Sequence, residues 1–70
     1  MNWKLKVEIY RCKWASIWRW RAKARNGKIL ADSGEGYNRR KDCVSGWFMV
    51  RPGPVDASSG DGDHVEFYYY

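Results

Sequence analysis

One stretch, Trp18 to Tyr37, constrains the fold more than any other. It reads WRWRAKARNGKILADSGEGY. Residues 17–25 alternate: Trp18, Trp20, Ala22 and Ala24 share one face, and Ile17, Arg19, Arg21, Lys23 and Arg25 share the other. A period of two is the signature of a half-buried strand. Asn26-Gly27 follows, the strongest short-range hairpin signal, because a two-residue type I′ turn needs positive φ at both central positions. With that turn Arg25 pairs with Lys28, Ala24 with Ile29, Ala22 with Ala31 and Arg21 with Asp32. A one-residue slip would turn every side chain to the wrong face, so the match of apolar with apolar residues supports this register.

Residues 3–10 alternate in the same way, Trp3, Leu5, Val7 and Ile9 against Lys4, Lys6, Glu8 and Tyr10. Their faces match those of the second strand if Ile9 lies opposite Trp18, Val7 opposite Trp20 and Leu5 opposite Ala22. Glu8 then opposes Arg19, Lys6 opposes Arg21, and Lys4 opposes Lys23. The hairpin tip near Lys13-Trp14 is fixed only to within two residues. Ser33-Gly34-Glu35-Gly36 leaves the sheet, and Asn38 suits a helix N-cap. Cys43, Val44, Trp47 and Phe48 then fall on one helical face, Gly46 costs that helix about 1 kcal/mol against Ala, and Arg51-Pro52-Gly53-Pro54 ends it. Residues 52–63 read as a mobile linker. Residues 64–70 read as a last strand with Val65, Phe67 and Tyr69 on one face and Glu66, Tyr68 and Tyr70 on the other. The expected order is β-β-β-α-β: a two-layer α+β domain with an antiparallel sheet of three to four strands packed on one helix.

The stretch RWRAKARNGKILADSGEGYNRRKDC resembles the YegP-like proteins, a family built on three strands, a helix and a further strand. The matching residues are Trp18, Arg19, Trp20, Arg21, Asn26, Gly27, Ile29, Ser33, Gly36, Tyr37 and Lys41, and the resemblance covers about residues 3–50. The Gly-rich spacing at residues 33–36 and the proline-broken, acidic stretch 52–63 depart from the family pattern. The last strand therefore has two possible places, its own sheet or a partner's. The family occurs as tandem repeats or as single repeats that pair, so one copy in this chain implies a homodimer. No molecular function, catalytic residue or cofactor comes with the resemblance.

Seventy residues allow one small domain with a marginal core, for which a second subunit is a common stabiliser. Cys12 and Cys43 are dispersed and form no metal-binding spacing, no secretory leader precedes them, and no apolar run approaches a membrane span. A reduced, cytoplasmic protein with free thiols and no membrane association is expected. The WRWR run is better explained by a strand within a sheet than by a membrane-active peptide.

Charge supplies the functional candidates. Residues 1–51 hold all thirteen Lys and Arg against four acids, net +9, and residues 52–70 hold four acids and no base. Such asymmetry suits an anionic partner, an acidic tail that neutralises the body, or solubility alone. Lys4, Lys6, Arg19, Arg21, Lys23 and Arg25 line the sheet face away from the helix, and Arg39, Arg40 and Lys41 crowd the helix start, where backbone N–H groups favour anions. These nine residues are the candidate nucleic-acid or anion contacts, with solvated cross-strand ion pairs as the simpler reading. Trp3, Trp18, Trp20 and Trp47 are expected in the core. Trp14, Tyr68 and Tyr70 are the candidate partner contacts.

The glycine loop lacks the Gly-Lys-Ser/Thr of a phosphate-binding loop. Asp61-Gly62-Asp63 with Glu66 lacks the calcium-loop pattern, and His64, the sole histidine, makes no zinc site with two dispersed cysteines. No metal, cofactor or catalytic residue is expected. Two functions stand: a non-enzymatic homodimeric module that binds nucleic acid through a basic sheet face, or a protein-interaction module, such as a phage-encoded effector of a host protein.

Overall fold

The computed structural model describes residues 3–14 and 16–70. It contains β1 (Leu5–Cys12), β2 (Ile17–Ala24), β3 (Ile29–Asp32), α1 (Arg40–Val50), β4 (Ala57–Gly60) and β5 (His64–Tyr69). The strands form one antiparallel sheet in the order β3-β2-β1-β5-β4. The two-layer α+β expectation holds, with five strands in place of three or four.

The added strand is β4, which lies within the stretch read as a linker. Ala57-Ser-Ser-Gly has no alternation of apolar and polar residues; its position comes from pairing with β5, Ala57 opposite Tyr68 and Gly60 opposite Val65. Asp61 closes the hairpin by accepting hydrogen bonds from the Asp63 and His64 amides. The last strand folds into its own sheet, beside β1, and ends at Tyr69 rather than Tyr70.

The β1–β2 register is shifted by two from the expected one. Ile9 lies opposite Trp20, Val7 opposite Ala22, Glu8 opposite Arg21 and Lys6 opposite Lys23. A two-residue shift keeps every side chain on its face, so periodicity could not detect it. The expected register would have required a two-residue turn at Lys13-Trp14, with positive φ that a bulky residue resists. The connection instead ends at Ser16, where φ is 51°, with the Ser16 amide bonded to the Cys12 carbonyl.

The second hairpin keeps its expected pairs Ala22–Ala31 and Arg21–Asp32 but not Ala24–Ile29 or Arg25–Lys28. The Ala24 amide bonds to the Lys28 carbonyl, and the Gly27 amide to the Ala24 carbonyl. The loop is therefore three residues, Arg25-Asn26-Gly27, with only Gly27 at positive φ (88°), the arrangement of a turn followed by a glycine bulge. Lys23 then faces Ile29, and a bulge between Ala22 and Lys23 restores the register.

The core lies between the sheet and α1. Val7 and Ile9 on the central strand are fully buried, joined by Trp20, Ala22, Cys43, Trp47, Val65 and Tyr69. Trp47 packs on Trp20 (ring centroids 4.9 Å) and on Tyr69 (6.0 Å), and its indole N–H donates to the Tyr69 hydroxyl at 2.9 Å. Among the described residues the buried Trp20 indole nitrogen has no hydrogen-bond partner. Burial pushes the Cys43 thiol up to about 11. Phe48 is only partly covered, through Phe67.

Helix α1 starts later than expected. Arg39, in extended conformation and with no side-chain cap, takes the N-cap position that the sequence suggested for Asn38. Tyr37 explains the glycine in mid-helix. It is tied to Trp18 by two reciprocal backbone hydrogen bonds of 2.8 Å, and its hydroxyl occupies the space a Cβ on Gly46 would need. Gly46→Ala should therefore lower stability, as read by a thermal melt, although the helix itself would gain about 1 kcal/mol; a raised melting temperature would contradict this packing.

Candidate functional site

The helix covers one face of the sheet and leaves the other open. The register places Lys6, Glu8 and Tyr10 of β1, Arg19, Arg21 and Lys23 of β2, Asp32 of β3, and His64, Glu66 and Tyr68 of β5 on this open face. Glu8 is its centre. Though ionisable, Glu8 is 7% exposed. Arg21 Nε donates to its Oε1 at 2.5 Å, Lys23 Nζ lies 3.4 Å from the same oxygen, and Lys6 Nζ lies 3.7 Å from Oε2. Burial raises the Glu8 pKa, but the Arg21 hydrogen bond and the charges of Arg21 and Lys23 together outweigh it, so the net shift is downward.

Glu66 lies directly opposite Glu8 across β1 and β5. Like charges in that position repel. Lys6 bridges them, with Nζ 3.8 Å from Glu66 Oε2, and His64 Nε2 sits 3.9 Å from Glu8 and 3.8 Å from Glu66. Glu8, His64 and Glu66 have the donor atoms to hold a cation, but Lys6, Arg21 and Lys23 already supply positive charge to Glu8, and the Tyr68 hydroxyl donates to Glu66. That hydrogen bond, with a smaller effect of burial, raises the Tyr68 pKa.

Aromatic rings lie between these cations. The Arg21 guanidinium lies 4.7 Å from the centroid of the Tyr10 ring. Trp3 packs on Tyr68 in a tilted pair at 5.9 Å, with Lys6 5.6 Å and Arg25 5.4 Å from the same indole centroid. Trp3 is thus misplaced by strict alternation, which put it in the core. The strand begins at Leu5, and a bend at Lys4, whose amide bonds to the Tyr69 carbonyl, breaks the period before it reaches Trp3. Trp18, Trp20 and Trp47 lie on the core side as expected.

The nine candidate cations do not form one site. Lys6, Arg19, Arg21 and Lys23 share the open face, with Arg25 at its margin over Trp3. Lys4 turns away and lines a groove with Leu5, Pro54, Asp56 and Tyr69. Arg39, Arg40 and Lys41 are exposed at the start of α1, in the other layer, with Arg39 3.8 Å from Asp42. Among the described residues Arg19 and Arg25 have no carboxylate partner. Of the candidate partner contacts, Trp14 is 97% exposed at the β1–β2 tip, while Tyr68 is half-buried beneath Trp3 and Tyr70 is exposed beside β4.

Residues 15–46 match the family model of a domain of unknown function, DUF1508. The match spans β2, β3 and the first part of α1, somewhat under half of the chain. It contains Arg19, Arg21, Lys23 and Arg25 but neither Trp3 nor Glu8, so the centre of the open face and its aromatic margin lie outside it. No curated protein and no solved structure matches the chain. Among the described residues no helix is long and apolar enough to cross a membrane.

Sequence reasoning missed Glu8 and Trp3 as site residues. Glu8 carried a signal, a lone acid in a strand whose neighbours are basic. Trp3 carried none, because its position depends on the bend at Lys4.

Proposed function

We propose that this chain is a non-enzymatic, single-copy YegP-like module of the cytoplasm that binds nucleic acid through the open sheet face. The observation that carries the reading is the pairing of cations with aromatic rings on that face, Arg21 with Tyr10 and both Lys6 and Arg25 with Trp3. Cations that follow a phosphate backbone, with aromatic faces on which bases stack, are the parts a nucleic-acid groove needs. Glu8, Asp32 and Glu66 offset most of the charge on the face, so affinity is modest and concentrated at low salt. Arg19 and Arg25, without acid partners among the described residues, are the residues this reading assigns to phosphates.

Replacing both by alanine leaves the Glu8 cluster intact. R19A/R25A should weaken binding to a labelled oligonucleotide about tenfold and lower the slope of log K against log salt by about 2. Fluorescence anisotropy from 20 to 300 mM salt reads both. An unchanged slope would sink the reading.

The dimer is part of the same proposal. β3 is an edge strand exposed along its whole length, with Ile29 50% and Leu30 60% exposed, a surface open to strand pairing with a second copy. Light scattering should give twice the mass of the 8.3 kDa chain; a monomer at micromolar concentration would contradict it. A protein partner is the second reading, favoured by the almost fully exposed Trp14, since buried tryptophans are frequent interface anchors.

A further inference from the structure

Beside Trp3 lies a cavity of about 320 Å³, walled by Trp3, Tyr68 and Tyr70 and completed by Ala57 and Ser58. The volume is at the small end of ligand pockets, suited to one planar ring, and its lining is mostly apolar and aromatic. Lys6 and Arg25 both approach the Trp3 indole; Lys6 is held by Glu8 and Glu66, which leaves Arg25 as the cation beside the cavity without a carboxylate partner among the described residues. Trp3 belongs to no part of the core cluster, so its half-burial comes from Tyr68, Lys6 and Arg25 rather than from packing that the fold requires.

We propose that this cavity takes an unpaired nucleobase, with the adjoining phosphate on Arg25, and that the protein therefore selects single-stranded over duplex nucleic acid. The proposal rests on the nucleic-acid reading above and specifies its substrate. A base stacked within a duplex presents only its edges to the grooves, whereas an unpaired base offers its ring face to an aromatic wall. Stacking of this kind is tolerant of sequence, so thymine and uracil strands should both enter.

The test uses four probes of equal length with the full chain: oligo-dT, oligo-rU, an abasic strand with the same phosphates, and a duplex. Single strands should bind at least tenfold tighter than the abasic strand and the duplex. Trp3→Ala should lower single-strand affinity about tenfold without changing binding to the abasic strand, and Trp3→Phe should restore most of the loss. A thermal melt of each variant close to that of the parent chain shows that the fold is unaffected. If the abasic strand binds as tightly as oligo-dT and Trp3→Ala changes neither, the base cavity is refuted while phosphate binding stands. If none of the probes binds at 20 mM salt, the nucleic-acid reading itself falls, and the base cavity with it.

Discussion

Trp47→Ala is expected to remove a large share of the chain's folding stability. Truncating a buried tryptophan costs about 3–5 kcal/mol, and a domain of this size holds roughly 3–10 kcal/mol in all. Trp47 is 4% exposed and is the main contact through which α1 reaches Trp20 and Tyr69. Removing it opens a cavity at the only helix–sheet interface among the described residues and leaves the Tyr69 hydroxyl without its donor. Tyr69→Phe separates these effects. It keeps the ring and strands the indole N–H, at about 1–3 kcal/mol. Urea titrations followed by tryptophan fluorescence and far-ultraviolet circular dichroism should rank the parent above Y69F and Y69F above W47A. A W47A melting temperature within 5 °C of the parent would show that the helix is held by something other than this indole.

Glu8→Ala is the second large effect. Three cations face this one carboxylate, and removing one partner of a buried ion pair costs about 3 kcal/mol, the lower end of the usual range because Lys6, Arg21 and Lys23 retain some access to water. At about 4–8 °C per kcal/mol for small domains, the melting temperature should fall by roughly 12–24 °C. Its pH dependence has a definite sign. The folded pKa of Glu8 lies below its ordinary value, so the charged form is the one that folding favours. Its contribution is present above the unfolded carboxylate range, near pH 4.3, and is lost as pH falls through the folded pKa. The stability difference between the parent and Glu8→Gln should therefore shrink as pH is lowered from 5 to 3. A difference that stays constant or grows would contradict the ion-pair assignment. E8Q also removes negative charge from the open face, so it should strengthen oligonucleotide binding and steepen its salt dependence, the opposite of R19A/R25A.

The layers of the fold could be read from the sequence wherever a periodic pattern met a one-sided burial. β1, β2 and β5 have such patterns, and Val7, Ile9, Trp20, Val65 and Tyr69 are buried where alternation put them. The details that failed are those the pattern does not encode. The β1–β2 slip moves residues by one full period and leaves each face unchanged. The Asn26-Gly27 hairpin has two solutions of similar local chemistry, and the one adopted adds a residue to the loop and recovers the register with a bulge. β4 has a polar, small-residue sequence and becomes a strand only because β5 offers it a partner. The candidate site follows the same division. Arg19, Arg21, Lys23 and Arg25 could be listed from alternation alone. That Glu8 gathers three cations, and that Trp3 leaves the core for Tyr68, follows from cross-strand neighbours far apart in sequence.

The aromatic cavity joins the two most distant parts of the chain. Trp3 meets Tyr68, and the Lys4 amide meets the Tyr69 carbonyl, so the site exists only after β5 has docked beside β1. Contacts at such separation close the largest loop in the molecule and carry its greatest ordering cost. A molecule seated on Trp3 and Tyr68 would act as a clasp on that closure. It would slow hydrogen exchange at the Lys4 amide and along β5 more than at the β2–β3 hairpin, which forms from neighbouring residues. Ligand binding and the fastening of the last strand are then one equilibrium, seen from its two ends.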